Sequence, residues 1–100
     1  MLGGSFNPAH DGHVHISLIA LSRLRLDRVW WLVSPQNPLK SETGMASLAE
    51  RLARARQLAT DRRLVASDLE RTLHTRYTVD TVAILRRRLP RARFVWIMGA

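Results

Sequence analysis

The sequence predicts an α/β fold: a doubly wound parallel sheet with helices on both faces, three layers deep. Two observations lead there. Val29 to Val33, Leu64 to Ala66 and Phe94 to Met98 are short, nearly continuous apolar runs, the composition of strands buried on both faces. Segments of helical period lie between them, so strand and helix alternate as β–α–β crossovers require. The layout is Rossmann-like, in α/β/α layers, and incomplete.

From the N-terminus, Met1 and Leu2 are the remnant of a first strand, followed by Gly3 and Gly4. A helix is expected from Gly12 to Leu24, with Val14, Leu18 and Leu21 turned inward and Ile19 beside them. After the Val29 to Val33 strand, Ser34 to Met45 forms a long polar loop, and loops of that length in compact domains are usually functional. Ser47 opens a second helix that runs to Ala59. Glu50 is its capping-box partner, and Leu48, Leu52, Ala55 and Leu58 form its apolar face. A third helix, Val79 to Leu89, turns Val79, Val82, Ala83 and Leu85 inward and stops at Pro90. Phe94 to Met98 is the last strand.

Both ends look cut. The stub before the glycines is too short to pair well at the centre of a sheet. The chain stops at Gly99-Ala100, directly after a strand, at the sheet end where such folds bind ligands. Residues 1–100 are therefore expected to be the N-terminal part of a single domain. Its last strand would offer an unprotected apolar edge, so these residues alone would associate and turn over no substrate.

One hundred residues support one modest core and no second domain. An apolar share of 46% with 24% charged residues belongs to a folded chain, not a disordered one. The absence of cysteine excludes a disulfide scaffold and any thiolate zinc site. No apolar run nears the roughly 18 residues of a membrane span, so a cytoplasmic location is expected. Sixteen basic residues against eight acidic ones leave +8, and every basic residue but Lys40 is arginine. That surplus suits a polyanion. The arginines nevertheless scatter over predicted helices (Arg51, Arg54, Arg56, Arg86 to Arg88) without forming a patch, which favours a solvated surface over a nucleic-acid interface.

Chemistry concentrates in Gly3-Gly4-Ser5-Phe6-Asn7-Pro8-Ala9-His10-Asp11-Gly12-His13. Two glycines after a strand let backbone approach a ligand closely, and Asn7-Pro8 makes a turn. His10 and His13 then fall on one face at the start of a helix. A helix N-terminus offers free amides and a partial positive charge, so anions settle there. Two imidazoles aimed at the same spot add donors that strengthen as negative charge builds in phosphoryl or nucleotidyl transfer. Gly12 leaves room for a phosphate against the helix. As a zinc site the pair is poor, lacking a third ligand other than Asp11, and no protein metal site is expected. His15 points off that face and His74 is isolated. Dinucleotide and Walker glycine fingerprints are absent.

At these residues the chain resembles the nucleotidyltransferases with a His-x-Gly-His signature, and in detail the bacterial nicotinate-nucleotide adenylyltransferases. Three later segments resemble that family too. They are Asn37-Pro38-Leu39-Lys40 after the second strand, Arg76-Tyr77-Thr78-Val79-Asp80-Thr81 at the head of the third helix, and Trp96-Ile97-Met98-Gly99-Ala100. Ser5 and Asn7 stand where the family more usually has Thr and Asp.

The resemblance implies adenylyl transfer from ATP to nicotinate mononucleotide, giving nicotinic acid adenine dinucleotide and pyrophosphate in NAD biosynthesis. The mononucleotide phosphate would attack the α-phosphorus in line, with Mg2+ held mainly by the phosphates and no covalent enzyme intermediate. By the same resemblance, His10, His13 and Lys40 are the catalytic candidates. Gly4, Ser5, Phe6, Gly12 and Gly99 would join the two histidines around ATP, and Asn7, Lys40, Tyr77 and Thr78 would meet the mononucleotide. The expected partners are the two nucleotides; no membrane partner is expected, nucleic acid is disfavoured, and a homo-oligomer stays open. The alternatives are another adenylyl- or cytidylyltransferase, such as a pantetheine-phosphate adenylyltransferase, and, from another class, a basic nucleic-acid-binding module. Thr in place of His10 is usual in the pantetheine-phosphate enzymes. The Tyr-Thr-x-Asp-Thr segment disfavours the glycerol-phosphate cytidylyltransferases.

Overall fold

The computed structural model describes residues 1–4, 6, 8–34, 47–74 and 78–97. Strands β1 (Leu2–Gly4), β2 (Val29–Val33) and β3 (Leu64–Ser67) form one parallel sheet in the order β1-β2-β3. Leu2 lies opposite Trp31, and Trp31 opposite Ala66. On the other side of β1, Leu2 makes a parallel bridge to Ile97, whose amide donates to the Met1 carbonyl at 2.8 Å. The expected stub is thus a working strand. Gly3 and Gly4 are themselves strand residues, and β1 is bonded on both sides.

Side chains of β2 alternate between two cores. Val29, Trp31 and Val33 face one way, with Leu21 of α1 (Asp11–Arg23) and Leu52 and Ala55 of α2 (Leu48–Leu58). Trp30 and Leu32 face the other way. They join Leu69 and Leu73 of α3 (Leu69–Leu73) and Val82 and Leu85 of α4 (Thr78–Arg88). The chain walks from β1 to β3 along the first face, then returns over the second to reach Ile97 beside β1. That reversal is what doubly wound means, and it gives the three expected layers. It also places a switch point between β1 and the Ile97 segment, where such sheets bind ligands at their carboxyl ends.

Two expected apolar faces are rotated. On α1 the inner residues are Ser17, Ala20 and Leu21, while Leu18 and Ile19 are about 40% exposed. On α4, Thr81 and Leu85 are buried, Val82 is half-buried, and Val79 and Ala83 are exposed. In both helices a hydroxyl residue takes a position that periodicity assigns to a hydrocarbon. The cause on α1 is Trp31. Its indole is fully buried, and its Nε1–H donates to Ser17 Oγ at 2.8 Å, because a buried donor left unpaired is costly. Helix α2 follows expectation, with Ser47 Oγ accepting from the Glu50 amide, except that Arg51 is buried and not a surface cation. The short α3 is an element the periodicity did not reveal. It ends on His74 in the left-handed conformation, φ 56°, with the side chain exposed. His15 is exposed as well.

Gly3 owes its identity to packing. A Cβ there would lie 2.6 Å from two ring carbons of Trp96, so the indole lies directly on the β1 backbone.

Replacing Ser17 by alanine strands the Trp31 N–H inside the core. Urea unfolding should show a loss of about 1–3 kcal/mol, whereas a change below about 0.5 kcal/mol would contradict the pairing.

Candidate functional site

Shortly after β1 comes Phe6, a buried aromatic residue with φ of 50°. That conformation is uncommon for a bulky side chain and costs about 1–3 kcal/mol, so it persists only where the surroundings enforce it. Here they do. The Phe6 ring stacks on Trp31 (centroids 5.5 Å apart, 20° between planes) and meets the His13 ring at 4.5 Å. His13 lies 6.0 Å from Trp31 and 4.1 Å from His10. Trp31, Phe6 and His13 form a three-ring cluster, and His10 extends it to the surface.

The two histidines cap α1 reciprocally. His10 is the N-cap, with φ −145° and ψ 175°, and its Nδ1 accepts from the Gly12 amide at 3.1 Å. His13, three residues on, returns its Nδ1 to the His10 amide at 3.0 Å. Imidazoles here fill the roles that Ser/Thr and Glu/Gln play in an ordinary capping box. A further tie fixes the same turn: Ser17 Oγ donates to the His13 carbonyl at 2.7 Å while accepting from Trp31.

Two consequences follow for the chemistry. Both Nδ1 atoms accept hydrogen bonds, so each neutral ring carries its proton on Nε2, on the side away from the helix backbone. Burial, and after it the neighbouring His10 imidazole, hold His13 below its ordinary value, which favours that neutral donor. The expected role of the backbone amides is corrected in part. The Gly12 amide is taken by His10 Nδ1, and the His13 amide donates to the His10 carbonyl at 3.0 Å. Both amides are thus paired within the cap, and the imidazole Nε2 atoms stand beside them as further candidate donors.

Gly12 is also explained differently. A Cβ on it would lie 2.7 Å from His10 Cε1 and 2.9 Å from Nδ1. The space that was assigned to a phosphate holds the His10 ring, and glycine is what lets the ring fold back onto the helix. Asp11, exposed in the first turn, is favourably placed against the helix dipole.

The carboxyl end of the sheet carries a second set of contacts that no sequence pattern announced. Ser34, just past β2, donates its amide to the Gly4 carbonyl at 2.9 Å. Its own carbonyl accepts from Arg51 Nη1 at 2.8 Å, and its Oγ donates to Glu70 Oε1 at 3.3 Å. Glu70, buried on α3, accepts from Thr81 Oγ1 on α4 through Oε2 at 3.2 Å. Burial lowers the Arg51 pKa. The only available signal was negative: one Arg and one Thr at inward-facing helical positions.

Of the expected site residues, Gly4, Phe6, His10, Gly12 and His13 are brought together around the head of α1. Thr78 is the first residue of α4. Ser5, Asn7, Lys40, Tyr77 and Gly99 lie outside the described residues.

Comparison with known proteins agrees with this geometry. A family model described as cytidylyltransferase-like matches residues 1–100. A protein of Parvibaculum lavamentivorans named probable nicotinate-nucleotide adenylyltransferase is 63% identical over all 100 residues, which are 50% of its own length. Proteins of the same name from Bradyrhizobium sp. (strain ORS 278) and Methylorubrum extorquens (strain PA1) are 62% and 59% identical, with 52% and 54% of their lengths covered. The chain spans about half the length of these curated relatives. The sheet reversal, the His10–Gly12–His13 turn at its carboxyl end and the family match over the full 100 residues place this chain in the cytidylyltransferase-like family.

Proposed function

We propose that this chain is the polyphosphate-holding part of a nicotinate-nucleotide adenylyltransferase, which joins nicotinate mononucleotide to ATP with release of pyrophosphate. The observation that carries the reading is the reciprocal histidine cap, in which each Nδ1 accepts from a backbone amide and each Nε2 is left as the outer nitrogen at the head of α1. The names of the relatives support the choice of substrates.

In this mechanism the mononucleotide phosphate attacks the α-phosphorus of ATP in line, and the P–O bond to pyrophosphate breaks as the new one forms. The protein aligns two polyanions and stabilises charge, so no nucleophilic side chain is needed. His10 and His13 donate to the polyphosphate oxygens, and those bonds strengthen as charge moves onto the leaving pyrophosphate. Gly4 and Phe6 shape the backbone beside them. Ser5 and Gly99 complete the ATP side, Gly12 serves it by making room for the His10 ring, Lys40 neutralises phosphate charge, and Asn7, Tyr77 and Thr78 meet the mononucleotide. Among the described residues no three His, Asp or Glu side chains gather in a way that suits a metal. Magnesium would enter with the ATP substrate, held mainly by its phosphates. Among the described residues, too, no helix is long and apolar enough to cross a membrane. The reading places the reaction in the cytoplasm.

Three outcomes test this reading. His13→Gln keeps an acceptor for the His10 amide, since Gln is an ordinary residue at that capping position, but removes the outward imidazole donor. In a chain of the relatives' full length, kcat should fall by about a hundredfold or more with little change in stability, and near-normal turnover would reject the role. The same chain should prefer nicotinate mononucleotide to its amide and ATP to CTP. Equal rates in either comparison would reject the substrate assignment. Third, the His13 pKa is depressed on folding, so below the ordinary imidazole value of 6.5 the unfolded chain binds the proton more readily. Stability should therefore fall as pH is lowered through that value, and less so in His13→Gln; identical pH dependence in the two would contradict the assignment.

A further inference from the structure

We infer that Glu70 is a positioning residue for the mononucleotide side of the site, acting through Thr81 on the head of α4. The inference rests on the adenylyl-transfer reading above for its substrate, and on the hydrogen bonds alone for its structural part.

Glu70 is 6% exposed, and Thr81 is fully buried. Carboxylates are almost never buried without partners, and this one receives two hydroxyls, one on each oxygen. Those hydroxyls belong to segments that nothing else among the described contacts joins so directly. Ser34 ends β2 and is bonded through its amide to Gly4 at the end of β1. Thr81 lies in the first turn of α4, three residues after Thr78. Arg51 clamps the same Ser34 from α2 through its carbonyl. Glu70 thus ties the first turn of α4 to the carboxyl ends of β1 and β2, the edge that also carries the histidine cap. Hydrocarbon at position 70 or 81 would pack that turn against the sheet equally well, but it would set neither the depth nor the rotation of α4.

The positions are therefore tuned for placement. A helix head displaced by even a fraction of an ångström changes how its first residues meet a bound nucleotide, and misplacement of about 1 Å can cost a hundredfold in rate. ATP phosphates, held at the head of α1, should feel this much less than the mononucleotide does.

The test uses Glu70→Gln and Thr81→Val, both near-isosteric, in a chain of the relatives' full length. Each should raise KM for nicotinate mononucleotide by about tenfold, the loss of one hydrogen bond to a charged acceptor, and leave KM for ATP within about twofold. Glu70→Gln disturbs both of its hydroxyl bonds and Thr81→Val only one of them, so the double variant should be little worse than Glu70→Gln alone. Thr81→Ser, which restores the hydroxyl, should recover most of the loss. Equal changes in both KM values, additive losses, or no change would overturn the inference. A full-length chain that makes no dinucleotide from these substrates overturns the functional reading instead. The positioning claim then stands or falls on hydrogen exchange: amides in the first two turns of α4 should exchange at least about tenfold faster in Glu70→Gln, while those of α2 do not change. Unchanged exchange in α4 would refute it.

Discussion

The buried indole N–H of Trp31 is the constraint on which the site depends. Tryptophan at the centre of β2 supplies a large apolar surface to the α1/α2 core, but it brings one donor that must be paired there. Ser17 supplies the acceptor, so α1 must lie with its polar residue inward and Leu18 and Ile19 turned out. With Ser17 held, its own hydroxyl reaches the His13 carbonyl, and the first turn of α1 is fixed one turn upstream. Phe6 stacks on the same indole and does so from a left-handed conformation between β1 and the helix. One side chain therefore sets both the rotation of the helix and the entry of the loop that precedes it.

That rigidity bears on how a helix N-terminus can serve polyphosphate. Using its backbone amides directly leaves them unpaired until ligand arrives. In this chain the Gly12 and His13 amides are paired within the cap, so on the proposed reading the anion would meet the imidazole edges. The exchange has an electrostatic logic. A ring whose Nδ1 is committed to an amide is held as the Nε2–H donor without carrying a formal charge, and the depressed His13 pKa favours the same form. Preorganised neutral donors respond to charge as it develops without having to be reoriented. Gly12 is part of the same device, since any side chain there would collide with the His10 ring.

Much of the architecture was legible in the sequence. Strands β2 and β3, the helices α1, α2 and α4, the Ser47 cap and the grouping of Gly4, Phe6, His10, Gly12 and His13 all follow from apolar runs, cap chemistry and motif spacing. The Phe94 to Met98 run, expected as a last strand, pairs among its described residues only through the single bridge from Ile97 to Leu2. The failures within the long-helix faces and the polar network share one physical cause. Hydrophobic periodicity ranks serine, threonine, arginine and glutamate as surface residues, yet Ser17, Thr81, Arg51 and Glu70 are all buried. Each is paired to a group whose need arises elsewhere in the chain: an indole, a carboxylate, a carbonyl at a strand end. Such needs are visible only once the elements are assembled. α3 escaped notice because five residues are too short to show a period. The pairing of β1 was underestimated because Gly3 and Gly4 were counted as loop, although Gly3 is strand backbone on which Trp96 packs.

On the proposed reading, the backbone amides that His10 and His13 cap keep both Nδ1 atoms as acceptors, and the Nε2 edges meet polyphosphate. Two-bond ¹H–¹⁵N correlation spectra of the histidine rings, recorded at neutral pH with and without Mg-ATP, test it most directly. Both rings should show an unprotonated Nδ1 and a protonated Nε2 before ligand is added, and both Nε2 resonances should shift on titration with the nucleotide. An Nδ1–H tautomer or a charged imidazolium in either ring, or Nε2 resonances that do not move with Mg-ATP, would contradict the account.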